Sequence, residues 1–369
     1  MKVLHINSNY FLTTLHQTMT EHLGDLGVEN SVYVATYDKN RSVIDLNENV
    51  CVSECFNKWD RVLFDRKQAK IISDIRRQFR VKDFDCIHAY TLFTDGNTAM
   101  NLSKRYGKPY VVAVRGTDID TFFRVAVYLR SRGVEIMLNA SRVFFLSEVS
   151  LEKVLHKYVP AKYRRQIRAK SMIVPNGIDD FWHENRYLRH SDIGPTTREL
   201  SLVYAGRIDK NKNIPAVQKA MEILRAQYYD TRLTVIGRID DKAEAAAVRS
   251  DPYTKCYKAV EKERLINVYR KSDIFVMPSH SETFGLVYAE AMSQGLPVIY
   301  TKGQGFDGQF KEGTAGFAVD DNDPADIAEK IKLVCRSYPQ ISANCTKLCS
   351  RFTWDDIVKQ YKSVYESIV

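Results

Sequence analysis

The chain has 369 residues, beyond the roughly 250–300 at which one hydrophobic core stops growing, so two domains are expected. Apolar residues make up 44% and charged residues 27%, which excludes a disordered chain, and no apolar run reaches the ~20 residues of a membrane-spanning helix. The formal charge of +9 sits mainly in the first half, with seven Lys/Arg and no acid over 153–170 and eight Lys/Arg against three Asp over 60–82. Such patches attract phosphate groups, or serve as solvated helix faces.

In chain order, Lys2–Asn7 is a strand-like apolar run, followed by a helical pattern over Leu12–Leu26 and a Val/Tyr-rich strand over Ser31–Thr36. Met1 leads straight into that first run, without a leader's apolar stretch and cleavage site, so a cytosolic protein is expected. Residues 38–84 are too charged to assign. Strands recur at Asp85–Ala89, Pro109–Val114, Arg142–Leu146 and Ser171–Val174, with helices at Asn97–Arg105, Thr121–Leu138 and Val149–Tyr158 between them. The polar stretch 180–200 is taken as the linker. The alternation then restarts: strands at Leu202–Ala205, Arg232–Ile236, Ile274–Met277 and Pro297–Tyr300, and helices at Ile214–Gln227, Ala259–Lys271, Leu286–Gln294 and Asp326–Arg336. A last helix spans Trp354–Ser367, with Thr353 as its expected N-cap.

Strands alternating with helices predict parallel sheets with right-handed crossovers. The fold class expected is therefore α/β, with two Rossmann-like doubly wound domains over 1–180 and 195–350. Ligands of such sheets bind outside the carboxyl ends of the strands, and two such edges facing each other would form a cleft.

Two segments carry chemistry. In Leu202–Asn213 a strand ends at Gly206, and Arg207 and Lys212 follow at its carboxyl edge. Arg can bind a diphosphate bidentately and Lys acts as a point charge, so the two can steady a diphosphate leaving group. In Pro278–Val298, Glu282 stands in a turn, and Phe284, Gly285, Leu286 and Val287 open a helix whose free N–H groups suit an anion. Gly285 allows close approach to the backbone, and Glu290 follows Glu282 by eight residues, about one turn into that helix. A capping acid and a solvated surface Glu are the plainer reading of that pair.

Together these segments resemble glycosyltransferase family 4, the retaining enzymes of the GT-B fold. The matching pieces are Gly206-Arg207 with Lys212, the Glu282/Glu290 pair, Val174-Pro-Asn-Gly-Ile-Asp179, and Arg351-Phe-Thr-Trp-Asp355 leading into a helix over 354–369 that crosses back to the first domain in that family. The resemblance covers 171–369 well and 1–170 loosely. It implies that Arg207 and Lys212 grip the donor diphosphate, that Glu290 accepts from the ribose hydroxyls, and that Glu282 with the backbone of Phe284–Val287 holds the sugar and nearby phosphate. It implies catalysis by Arg207, Lys212 and Glu282 with no metal and no cofactor, the donor being a co-substrate. Gly237 and Arg238, with Tyr257 and Lys258, lie where the base would be chosen.

Departures from the family pattern are local. Asn7–Thr14 has no glycine where relatives carry a glycine-rich loop, and Arg115-Gly116 stands in place of His-Gly. Arg115 is read as facing the donor, with a structural pair to Asp118 or Asp120 as the alternative. Gly303, Gly305 and Gly308 spell G-x-G-x-x-G, but no long helix follows, so the loop is read as shaping the sugar pocket rather than binding a dinucleotide. The Asp-x-Asp pairs Asp118/Asp120 and Asp83/Asp85 are not read as metal sites, and the seven cysteines, with no C-x-x-C, are read as reduced thiols. His88 and Tyr10 are the acceptor-side candidates.

The function expected is retaining transfer of a sugar from a nucleoside-diphosphate sugar, UDP favoured, to a glycan or polyprenyl-linked acceptor. The basic clusters suggest docking on the anionic inner face of a membrane. The alternative is another GT-B enzyme, such as a nucleotide-sugar epimerase or phosphorylase. Nucleic acid is not expected as a partner, since no aromatic-rich RNA motif or recognition helix stands out.

Overall fold

The computed structural model describes residues 1–41, 46–188 and 199–369. The chain divides into two compact units, Met1–Gly177 with Trp354–Val369, and Ile178–Thr353. Residues 189–198, the middle of the expected linker, lie outside the described residues, and the stretch before them holds a short helix, Asp180–Glu184.

Unit 1 is built on seven parallel strands: β1 (Lys2–Ile6), β2 (Glu29–Thr36), β3 (Val50–Glu54), β4 (Cys86–Ala89), β5 (Tyr110–Val114), β6 (Arg142–Phe145) and β7 (Ser171–Ile173). Their order is β3-β2-β1-β4-β5-β6-β7, so the winding direction reverses between β1 and β4. Unit 2 repeats the plan with β8 (Glu199–Ala205), β9 (Asp230–Ile236), β10 (Thr254–Tyr257), β11 (Ile274–Met277), β12 (Val298–Thr301) and β13 (Gly316–Val319), ordered β10-β9-β8-β11-β12-β13. Its reversal falls between β8 and β11. The central strands are buried on both faces, as β5 and β11 show, which is why they read as unbroken apolar runs rather than alternating ones. These are the doubly wound sheets expected.

The C-terminal helix Trp354–Ile368 belongs to unit 1. Trp354, Tyr361 and Tyr365 are its buried anchors, Lys362 donates to the Leu26 carbonyl at 3.0 Å, and His22 meets Asp355 at 2.9 Å. The Trp354 ring lies so close to Gly177 that a Cβ there would sit 2.5 Å from it, which accounts for the glycine in the Asn176-Gly177 step. Thr353 donates its hydroxyl to the Ser350 carbonyl.

Several elements differ from expectation. Helix Phe64–Gln78 and β3 occupy the unassigned stretch. The helix expected over Thr121–Leu138 is instead a π-helical turn (Asp118–Phe123), a 3-10 turn (Val127–Leu129) and an α-helix (Arg130–Asn139). Stacking of Phe122 on Phe93 and the edge contact of Phe123 with Phe93 fix the π turn, and residues 124–129 then run out with Val125, Val127 and Tyr128 exposed. Helices Ala161–Lys170, Lys242–Arg249 and Tyr338–Leu348 and strands β10 and β13 also went unread.

Candidate functional site

The two motif segments of unit 2 follow β8 and β11, the neighbours at which the sheet reverses, where ligands of open parallel sheets bind. After β8 the chain turns at Gly206, whose φ of 152° suits glycine, and the Tyr204 hydroxyl donates to the Arg207 carbonyl just beyond. Asp209 accepts from the Lys212 backbone N–H at 3.2 Å and so caps the short turn Lys210–Lys212. After β11 the turn 278–285 leads to helix Leu286–Ser293, with Gly285 at its N-cap (φ 78°) and no capping side chain. A Cβ on Gly285 would lie 2.5 Å from the Tyr288 ring.

The loops meet through side chains. Lys212 Nζ sits 2.6 Å from Glu282 Oε2, and both side chains are largely buried, at 11% and 16% exposed. Asn211 Nδ2 donates to the Ser281 carbonyl and Asn213 Nδ2 to the Pro278 carbonyl. Asn213 is left-handed (φ 53°), a conformation asparagine tolerates better than most residues. From the loop after β12, Gln304 Oε1 accepts from the Glu282 N–H, and Gly305 N donates to the Glu282 carbonyl at 2.8 Å. Asn211, Asn213 and Gln304 were not singled out from sequence. Asn213 was readable as a left-handed candidate beside a motif lysine, whereas Gln304 carries no local signal.

Arg207 is half exposed, with its guanidinium 3.5 Å from Asp240 and 3.7 Å from Asp209. Arg238 pairs bidentately with the same Asp240, at 2.7 and 3.1 Å, and this hydrogen bonding holds the Asp240 carboxyl below its ordinary range. Arg207 and Arg238 thus share one carboxylate at the ends of β8 and β9. Gly237 is needed for close approach, since a Cβ there would be 1.6 Å from the Gly206 carbonyl oxygen. The Phe284 side chain is buried against Phe352 in the core, so only its backbone can serve a ligand. Leu286 and Val287 begin the uncapped helix.

Glu290 lies on that helix and keeps part of its surface open. Burial, reinforced by the Asp179 carboxylate and opposed by Lys262, pushes its carboxyl up from 4.5 to about 7. Lys262 itself pairs with Asp179 at 2.7 Å. A folded pKa above the unfolded one means that stability from this group is full below about pH 4.5 and is lost as pH rises towards 7. Glu290→Gln should therefore gain stability over wild type between pH 5 and pH 8, by at most about 3 kcal/mol. Urea melts showing the same pH dependence in both proteins would refute this.

The remaining candidates are in unit 1, and two need correction. His88 is fully buried: its ring stacks on Tyr90 at 4.2 Å, its Nδ1 meets the Tyr365 hydroxyl at 2.7 Å, and burial drives its pKa well below the ordinary value. Tyr10 is also core, its hydroxyl 2.9 Å from Thr20 Oγ1. Neither side chain is placed to touch an acceptor, because the C-terminal helix covers the first and β2 with helix Leu15–Asp25 encloses the second. Arg115 is half-buried; its Nε donates to the Tyr90 carbonyl and its Nη1 to Asn176. The side-chain pair with Asp118 is not formed; Asp118 accepts from the Arg115 backbone instead.

Among the described residues, no group of three His, Cys, Asp or Glu lies together as a metal site, and no helix is long and apolar enough to cross a membrane. Asp118 accepts from the N–H groups of Leu92, Phe93 and Arg115, Asp120 pairs with Lys153, and Asp85 accepts from the Lys2 N–H. The Gly303–Gly308 loop opens no helix; β13 is the next regular element.

Two parallel-sheet Rossmann-like units with this site define the GT-B class. The sucrose-phosphate synthase of Thermosynechococcus elongatus superposes over 100% of this chain and 98% of its own, at a TM-score of 0.75 and 18% identity. HepE of Anabaena, solved with UDP and glucose, covers 100% of both chains at 0.68 and 16%. Residues 189–347 match the family Glycosyl transferases group 1. It is similar to D-inositol 3-phosphate glycosyltransferases from Corynebacterium kroppenstedtii (26% identity, 48% of this chain and 43% of the relative) and Pseudarthrobacter chlorophenolicus (27%, 70% and 64%). The matches thus span less than two thirds of these relatives' length.

Proposed function

We propose that the chain is a retaining glycosyltransferase of family 4 that moves a sugar from a nucleoside-diphosphate sugar, UDP-linked by preference, to a glycan or lipid-linked acceptor. The observation that carries this reading is the Lys212–Glu282 pair, with Arg207 in the same loop after β8, at the reversal point of unit 2 and inside the segment that matches the group 1 family. Arg207 and Lys212 supply fixed positive charge for the diphosphate, and the uncapped start of helix Leu286–Ser293 adds N–H dipoles. Glu282, held in place by Lys212, accepts from sugar hydroxyls, and Glu290 in its ionised form accepts from the ribose. The UDP and glucose bound in HepE support the choice of base.

In the step proposed, the acceptor hydroxyl oxygen bonds to the anomeric carbon on the face from which the diphosphate leaves. The bond to the phosphate oxygen breaks with its electron pair going to that oxygen, which also takes the acceptor's proton. No metal is needed, since Arg207 and Lys212 carry the charge. Docking at the cytoplasmic face of an anionic membrane completes the reading. Part of the charge of each cluster is met by carboxylates, Arg168 by Glu148 in 153–170 and Arg66, Lys70 and Arg77 by Asp60 and Asp74 in 60–82, so the attraction is shared between the two.

Incubation with a UDP-sugar and a set of acceptors should give a product of unchanged anomeric configuration by NMR, with the rate unaffected by excess chelator. Inversion, or loss of turnover with chelator, would overturn the mechanism. Sugar product formed without any acceptor would favour the epimerase or phosphorylase alternative.

A further inference from the structure

Unit 1 contains a cavity of about 790 Å³ that no candidate residue from the sequence lines. It opens at the carboxyl ends of β1, β2, β4 and β5, around the reversal point of that sheet, where a ligand is expected on topological grounds. Its floor is polar: the Ser8 and Thr91 hydroxyls both donate to the fully buried Asp95, at 2.5 and 2.9 Å. Its walls are aromatic, with Tyr37, Phe56, Phe64 and Phe122.

The charged residues of the lining are Lys58, Lys67 and Asp118. Asp118 is fully buried and accepts from three backbone N–H groups, so its charge is already met. Lys67 Nζ lies 4.9 Å over the Phe56 ring, and Lys58 Nζ lies 5.9 Å over Tyr37. The two ammonium groups thus sit on aromatic faces of the wall, while the Asp95 carboxylate under the floor, which Lys67 also faces, is met by the Ser8 and Thr91 hydroxyls.

The rim is apolar and open to water. Val62 is 76% exposed, Val125 69% and Tyr128 72%, and all three line the mouth. Trp59 and Val127 extend the same two segments, also exposed. Segments 59–63 and 125–128 are distant in sequence, yet both bring large apolar groups to one opening. An exposed apolar patch of this kind marks a binding surface. A free nucleotide or a bare sugar would leave it uncovered.

We propose that this cavity binds an anionic amphiphile, with a phosphate headgroup drawn to Lys58 and Lys67 and a hydrocarbon chain lying over Val62, Val125 and Tyr128. This deepens the transferase reading by naming its acceptor as a phosphate-bearing lipid, and it rests on that reading only for the acceptor role. Charge complementarity selects the headgroup, and the exposed rim selects the chain. His88 and Tyr10, the acceptor candidates from sequence, lie in the core instead.

The test uses the whole protein and farnesyl phosphate below its aggregation concentration, with farnesol and inorganic phosphate as separate arms. Of the three tryptophans, Trp182 and Trp354 are buried, so emission changes report mainly on the exposed Trp59, next in sequence to the lining residue Lys58. Farnesyl phosphate should shift that emission saturably, and farnesol or phosphate alone should bind at least tenfold more weakly. Val125→Asp and Tyr128→Asp should each weaken binding about tenfold without changing the melting temperature, and Lys58→Glu should weaken farnesyl phosphate more than farnesol. Absence of saturable binding, equal binding of farnesol, or indifference to Val125→Asp and Tyr128→Asp would overturn the proposal. Nucleotide sugars that bind while the amphiphile does not would sink this inference alone. The amphiphile binding while no nucleotide sugar does would sink the transferase reading alone.

Discussion

Lys212→Met is expected to cost the protein both stability and nearly all its activity, for two separable reasons. Lys212 and Glu282 form a largely buried pair at 2.6 Å. Removing the cation leaves the Glu282 carboxylate without its counter-charge, which costs about 3 kcal/mol or more in buried pairs. The second loss is of a fixed charge at the diphosphate, and single groups of this kind contribute about 10²–10³ in turnover. The double variant Lys212→Met/Glu282→Gln separates the effects. It should recover most of the stability, because an uncharged amide replaces the stranded carboxylate, while turnover stays at or below the level of the single variant. Recovery of turnover along with stability would mean that the pair is only structural.

Gly305→Ala should be among the most damaging single-methyl changes near the site. A Cβ at Gly305 would lie 1.8 Å from the Thr283 carbonyl oxygen and 2.7 Å from the Phe284 nitrogen. Both neighbours are backbone of the turn carrying Glu282, and Gly305 itself donates to the Glu282 carbonyl. The loop must therefore be pushed away, at roughly 3 kcal/mol, or about 6–12 °C of melting temperature in a domain of this size. Gly303→Ala is the control. Its φ of 74° disfavours alanine, but nothing lies within 4 Å of the added carbon, so only the left-handed penalty of about 1–2 kcal/mol applies. Donor affinity should fall with Gly305→Ala and hold with Gly303→Ala, by titration calorimetry.

The same loop shows where sequence reading stops. Glycine spacing at 303, 305 and 308 matched a dinucleotide fingerprint, and the missing helix rejected it correctly. Its true work, letting the loop lie against the turn of Glu282 while Gln304 accepts from that turn, depends on a contact no local pattern encodes. By contrast, Arg207, Lys212 and Glu282 were legible because each lies in the loop that follows a strongly apolar strand. Parallel sheets bring such strand ends together whatever the intervening sequence. Glu290 was legible by helical spacing, but the proximity of Asp179 was not.

Helix Phe64–Gln78 was hidden for a different reason. Two of its five buried residues are polar: Gln68 accepts from Asn97 and Thr98, and Asp74 accepts from the Tyr33 hydroxyl. Apolar periodicity cannot reveal a face whose inward positions are satisfied by hydrogen bonds. His88 was misjudged because it sits on a strand whose cover comes from Tyr361 and Tyr365, more than 270 residues away.

The central claim is that unit 2 binds a nucleotide sugar through Arg207, Lys212 and Glu282. The most direct measurement is the thermal stability of the wild type and of Lys212→Met/Glu282→Gln with UDP-, GDP- and ADP-sugars. One sugar nucleotide, UDP-linked by expectation, should stabilise the wild type by ~2.7 kcal/mol at about a hundredfold excess over its dissociation constant, and the double variant far less. No shift with any nucleotide sugar, or an equal shift in both proteins, would contradict it.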